Sequence, residues 1–451
     1  MRASRLPTRQ GPFVGCSAVD RRVAVWKPPA PPSRRLRPRE AIRLRASHGE
    51  PHPHRESDVA TDHQSPSGAS PNASASREVW QAMVLFPPMR SASRAFEVER
   101  MRPAEMNSAL LDQWARLQAA HRAFHSPFLT PDFTMLVASV RDDVEVGVIR
   151  HGGEAVGFFP FQRTRRNAGV PVGSRLNDLQ AVVCDPRMEW DAVELVRACG
   201  LRSWRFHMLL AEQRPFGPHC DQVVDAVFMD LSRGFGHYEA QRRATGSQKL
   251  RKVAKQRRAI ERECGAVTFE LDHSVECVRM LIEWKSDQYR RTGEADVFSH
   301  SWTGRLLERI AACESPTLKP LIRVLRVNGD IAAIEYAIQY ADVLHDWFPV
   351  YNPRFAKYSP GLILIREFAL QCGRFGVARI EMGKGDLPYK SSFASGRFRV
   401  AAGIVATTPL GRAARASVRA ARRITALPGL RTVRSTIGRW TRPVRGRLAL
   451  K

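Results

Sequence analysis

From residue 96 onward the apolar residues fall into repeating patterns; before it they do not. Over 103–121 they recur at helical spacing, and Thr130-Pro131-Asp132 opens a second helix with a capping residue followed by proline. Segments 144–150 and 155–162 flank His151-Gly152-Gly153, which predicts a hairpin. Strands near 179–184 and 205–210 and a helix near 190–199 complete a mixed α/β unit that ends around residue 231.

Gly234 and Gly236 read as a break, after which a second unit begins. It holds a basic helix (247–264), a strand (267–271), a long helix (274–291) and another helix (302–313). Three strands follow, 321–327, 331–340 and 343–350. The first two are joined by Asn328-Gly329, a pair suited to a type I′ turn. A helix opened by Ser359-Pro360-Gly361, a strand over 378–382 and a last strand over 398–407 close the series. Tight turns force antiparallel neighbours, so the sheet is expected to be mixed and the class α/β (α+β).

The ends of the chain read differently. Residues 1–95 are rich in Pro, Ser, Arg and His and cannot bury enough apolar surface to offset their ordering entropy, so they are predicted to be disordered. Met83, Met89 and Met101 offer later start positions. Between Pro409 and Lys451 there are twelve Arg or Lys residues and no Asp or Glu. The expected organisation is therefore 1–95, 96–233, 234–408 and a basic tail over 409–451.

Net charge is +27, concentrated in that tail and in 242–262. Such charge attracts anionic surfaces or substrates, or keeps a solvated tail soluble. Zinc spacing, an RNP motif and an aromatic-interleaved basic stripe are all missing, so no specific nucleic-acid partner is expected. No apolar run approaches the ~20 residues that span a bilayer, and no apolar segment follows the N-terminal basic residues as a signal peptide requires. The eight cysteines form no CxxC pair, which points to neither a metal nor a disulfide framework and suits reduced thiols in a cytoplasmic protein.

The densest chemistry lies in 351–393. Ser359 can cap the helix, Pro360 suits its first turn, and Gly361 leaves the backbone N–H groups open to close approach by a ligand. A helix start of this kind favours phosphate. Downstream lies the cluster Gly383-Lys384-Gly385-Asp386-Leu387-Pro388-Tyr389-Lys390. Asp386 either takes a proton as a base or caps the short helix over 387–394. Tyr389 and Lys390 either donate to a developing oxyanion or form a half-buried aromatic beside a snorkelling lysine. Alternation places Glu335 among alanines on a strand, as a base of raised pKa or as the partner of an arginine. His345 reads as a proton shuttle or a structural histidine. Tyr351 closes the strand before the Ser359 helix and lines a ligand site or belongs to the core.

The element order and these residues together resemble the GNAT acyltransferase fold. More specifically they resemble the cellulose-biosynthesis (CelD-like) acetyltransferase domain, a relative of the FemAB peptidyltransferases. The matching residues are Trp284 and Tyr289, Tyr358-Ser359-Pro360-Gly361, Arg366-Glu367, and Gly383, Gly385-Asp386, Pro388-Tyr389-Lys390 and Phe393. They span 236–407. The preceding unit, with Ser126-Pro127-Phe128, Pro131-Asp132-Phe133 and Gly157-Phe158-Phe159-Pro160, resembles the degenerate N-terminal half of tandem GNAT proteins.

The resemblance implies an acyl-CoA donor whose diphosphate sits at Ser359, Pro360, Gly361 and Leu362. It also implies an amine or hydroxyl acceptor, for instance a precursor of surface polysaccharide. Asp386 and Glu335 would then serve as bases. The usual Q/R-x-x-G-x-G/A signature is absent, with one glycine where two are common, and FemAB relatives take aminoacyl-tRNA at this place. Aminoacyl transfer and a non-catalytic basic scaffold at a membrane surface are the competing readings.

Overall fold

A computed structural model describes residues 96–385, 387–413, 415 and 417. The predicted disordered region, all but the first residues of the basic tail, and Asp386 lie outside the described residues.

The first half contributes β1 (Glu97–Met101), β2 (Val144–His151), β3 (Glu154–Arg163), β4 (Ala168–Val170), β5 (Val183–Cys184), β6 (Ser203–Leu210) and β7 (Cys220–Asp230). The second contributes β8 (Val267–Leu271), β9 (Lys319–Val327), β10 (Asp330–Tyr340), β11 (Val343–Tyr351), β12 (Arg379–Lys384) and β13 (Gly396–Ala406). All belong to one sheet, ordered β1-β2-β3-β4-β6-β13-β7-β12-β11-β10-β9-β8, with β5 beside β3. The pairs β4–β6 and β11–β12 are parallel and the other strand pairs are antiparallel, as expected of a mixed sheet. Asn328 and Gly329 both take positive φ (50° and 85°), the requirement of a type I′ turn.

Helices cover the sheet. α1 (Ser108–Ala120) and α2 (Pro131–Ala138) share one apolar core with α6 (Val275–Thr292) and α7 (Ser301–Ala311). A second core joins α4 (Gly234–Ala244), α5 (Lys249–Cys264), α8 (Pro360–Gln371) and α9 (Pro388–Phe393). α3 (Ala192–Ala198) packs in a third. No helix among the described residues is long and apolar enough to cross a membrane.

Two features differ from the sequence reading, and a third, the place of the last strand, is one that reading does not address. The glycines at 234 and 236 do not break the chain, because they lie in the first turn of α4. β1, β4 and β7 form where no strand was expected. The last strand, β13, does not lie at the edge of its own half: it inserts between β6 and β7 of the first half.

Candidate functional site

The site is built where two parallel strands part. β11 and β12 share three register pairs, Val343↔Arg379, Leu344↔Ile380 and His345↔Glu381. Beyond them β11 runs on to Tyr351 with strand partners on its β10 side alone. Two local irregularities accompany the parting. Trp347 has no partner on β10 and forms a bulge in β11. On the other strand the register with β7 shifts between Glu381 and Lys384, where Gly383 takes φ +67°, a conformation that favours glycine. A strand edge left unpaired in this way can pair with an extended ligand.

α8 begins beside this opening, and its start differs from expectation. Ser359 occupies the capping position with left-handed backbone (φ 55°, ψ 58°), and its hydroxyl caps nothing. It accepts instead from the Gln256 amide of α5 at 3.1 Å. The expected side-chain cap is therefore wrong, because the left-handed turn carries the hydroxyl to α5. Leu362 N–H and Ile363 N–H both donate to the Ser359 carbonyl, so Leu362 has no N–H left to offer. Gly361 N–H is the one amide of this first turn without a protein acceptor among the described residues. Nothing lies within 4 Å of where a Gly361 side chain would begin. Pro360 is buried in the N1 position. A phosphate can thus approach Gly361 closely along the helix dipole.

Two buried charged clusters sit at the parting point. In one, His345 is buried and hydrogen-bonds Asp178 of the first half (Nε2–Oδ2 3.1 Å), with its Nδ1 3.8 Å from Glu381. Burial alone would lower the imidazole, but the two carboxylates outweigh it and hold it up at about 9. Burial would likewise raise Asp178, yet the bond to His345 keeps it below its usual value. Glu381 also accepts from Arg379 at 2.8 Å. Asp178 Oδ2 and Lys390 Nζ lie 3.8 and 3.9 Å from where a Gly383 Cβ would stand, so the bare glycine keeps the space between them open.

In the other cluster, Glu335 is 2% exposed and ion-paired to the fully buried Arg323 at 3.2 Å. Arg323 also pairs with Asp346 of β11 at 2.5 Å and lies over the Phe368 ring. Burial first, and the Asp346 charge second, push the Glu335 carboxyl well above the usual carboxylate range, against the pull of Arg323. Lys285 of α6 donates to the Pro349 carbonyl at 3.0 Å, and burial brings it down to about 8. A carboxyl with this elevated affinity for protons can act as a base near neutral pH.

The remaining sequence-predicted residues fall as follows. Tyr351 ends β11 and is 46% exposed. Tyr389 is half-buried against the second core, on α9 beside Lys390. The pattern missed Asp178, Arg323, Lys285 and Glu381. A separate surface cleft of about 590 Å³ between the end of α2 and α7, lined by Arg141, Trp302, Arg305 and Arg309, holds none of the expected residues.

Residues 247–391 match the family model described as an acetyltransferase (GNAT) domain. Among solved structures the chain is similar to FemX (8% identity, TM-score 0.48, covering 70% of this chain and 99% of that one). It is also similar to a tandem GNAT protein from the clavulanic acid biosynthesis pathway (12%, TM-score 0.41, 70% and 99%). A third is a GCN5-related N-acetyltransferase from Sphaerobacter thermophilus (12%, TM-score 0.38, 71% and 98%). No curated protein matches the chain. The strands and helices within residues 247–391 thus form a GNAT-type acyltransferase domain.

Proposed function

We propose that the protein transfers an acyl group from acyl-CoA to an amine or hydroxyl, as the CelD-like resemblance implies, with a precursor of surface polysaccharide as the acceptor class. The observation that carries this reading is the parting of β11 and β12 beside the open Gly361 N–H. The residues suit the donor. Gly361 would take a diphosphate oxygen, and the β11 edge beyond His345, ending at Tyr351, would align an extended thiol arm. The transfer forms a C–N or C–O bond at the acyl carbon and breaks the C–S bond. Glu335, with Asp386 as the second candidate, would take the acceptor's proton. Lys390, whose Nζ lies 3.9 Å from where a Gly383 Cβ would stand, and its neighbour Tyr389 would stabilise the charge that develops on the carbonyl oxygen.

Calorimetry and thermal unfolding with acetyl-CoA test this. Ligand at a hundred times its dissociation constant should stabilise the fold by about 2.7 kcal/mol. If the protein neither binds acetyl-CoA nor gains stability from it, the reading fails.

One observation favours aminoacyl transfer from charged tRNA as a second reading. Arg251, Lys255, Arg258 and Arg262 form an exposed row on α5, with spacings that place them on one helix face. A gel shift with charged tRNA, steeply weakened by salt, would be its signature.

A further inference from the structure

The surface cleft of about 590 Å³ lies apart from the opening between β11 and β12, and none of its lining residues belongs to that opening. One wall is the chain at and after the end of α2, as far as Asp142; the other is α7. α7 begins without a side-chain cap, and the N–H groups of Ser301 and Trp302 have no acceptor among the described residues. Both residues line the cleft, so the positive end of the α7 dipole lies at its wall.

Three guanidinium groups line the same space. Arg141 is held by Asp143 (Nε–Oδ1 3.1 Å, Nη2–Oδ2 2.5 Å) and lies 5.3 Å from the ring centroid of Trp302. Arg305 and Arg309 have i, i+4 spacing and share one face of α7. Arg305 donates to the Ser301 hydroxyl at 3.2 Å, and neither arginine has a carboxylate within ion-pair distance among the described residues. Asp142, the one carboxylate of the lining, pairs with none of the three. Trp302 is 6% exposed, and its indole N–H is buried without an acceptor among the described residues. A buried donor in this state calls for a partner that the described chain does not supply.

We propose that this cleft binds a small organic phosphate monoester, at a site separate from the donor's and independent of the acyl-CoA reading. The two guanidinium groups without a carboxylate match the roughly two negative charges of a monoester near neutral pH, where a carboxylate would answer only one. The volume lies within the range of small-molecule sites, about 300–1,000 Å³, and exceeds what a bare ion fills, so the phosphate is carried on an organic group. Arg141 comes from the first half and α7 from the second, so the ligand would tie the two walls together.

Titration calorimetry of the full chain with ribose 5-phosphate, inorganic phosphate and ribose tests the site, on the wild type, Arg305→Ala/Arg309→Ala and Gly361→Leu. The wild type should bind ribose 5-phosphate more tightly than inorganic phosphate and should not bind ribose. The double alanine variant should bind ribose 5-phosphate at least about tenfold more weakly, the factor expected from losing charge-assisted hydrogen bonds, while its response to acetyl-CoA stays that of the wild type. Both arginines are exposed and alanine is a good helix former, so an unchanged unfolding midpoint serves as the folding control. Gly361→Leu should keep the wild-type affinity for ribose 5-phosphate, which separates this site from the donor's. No binding of ribose 5-phosphate, equal affinity for inorganic phosphate, affinity that survives the double alanine change, or affinity lost in Gly361→Leu would each overturn the proposal and leave the acyl-CoA reading standing.

Discussion

Arg323 has no solvent exposure and stands between two carboxylates, Glu335 and Asp346. Replacing it by methionine leaves both acids buried without a cation, a change that typically costs about 3–5 kcal/mol. We expect Arg323→Met to show a loss of this size in urea unfolding, with Glu335→Gln much milder because Arg323 keeps its ion pair with Asp346. His345 gives a pH signature. Its pKa is raised from 6.5 to about 9 in the fold, so its contribution is complete below about pH 6.5 and disappears as the pH rises through about 9. The wild-type melting temperature should fall across that window more steeply than that of His345→Gln; parallel curves would contradict the role given to the Asp178 contact.

The sequence alternation marked Glu335 as a possible arginine partner, but did not reveal which arginine. A hairpin counted from the Asn328-Gly329 turn pairs Glu335 with Ile322. The register shift between Ile331 and Ala333 moves the pairing by one residue and brings Arg323 opposite. Asp178 was invisible for another reason: it sits outside any periodic segment, 167 residues from its partner.

Among the elements, α8 carries the most direct test. Gly361 lies in a first turn where a side chain meets open space, so Gly361→Leu should fold normally and gain up to about 1 kcal/mol of helix propensity. The same side chain would cover the amide, and stabilisation by acetyl-CoA in thermal unfolding should vanish. Stabilisation equal to the wild type would place the donor elsewhere. The helix itself was legible in the sequence from its apolar spacing and N1 proline. The left-handed Ser359 was not, because Gln256 across the cleft dictates what its hydroxyl does. α4 was hidden by its own glycines, Gly234 taking φ +81° at its first position.

Across the whole molecule the sheet is continuous, and β13 joins its halves through pairings with both β6 and β7. A chain ending at Ser395 would leave two long strands with open edges, a setting that invites aggregation. We expect such a truncation to be insoluble or oligomeric in size-exclusion chromatography, and a chain ending at Ser417 to remain a well-behaved monomer or native assembly. A soluble 96–395 fragment with native circular dichroism would show that β13 is dispensable.

That placement of β13 also sets a timetable for folding. Val400 pairs with both Leu210 and Val224, so each of these strands waits for a partner synthesised far later. At about 5–20 residues per second the delay from Leu210 is on the order of 10–40 s, during which β6 and β7 emerge without the neighbour that separates them. Direct pairing of β6 with β7 in that interval would have to be undone before the native sheet could close. The nascent first half is therefore the state in which this protein most needs a chaperone.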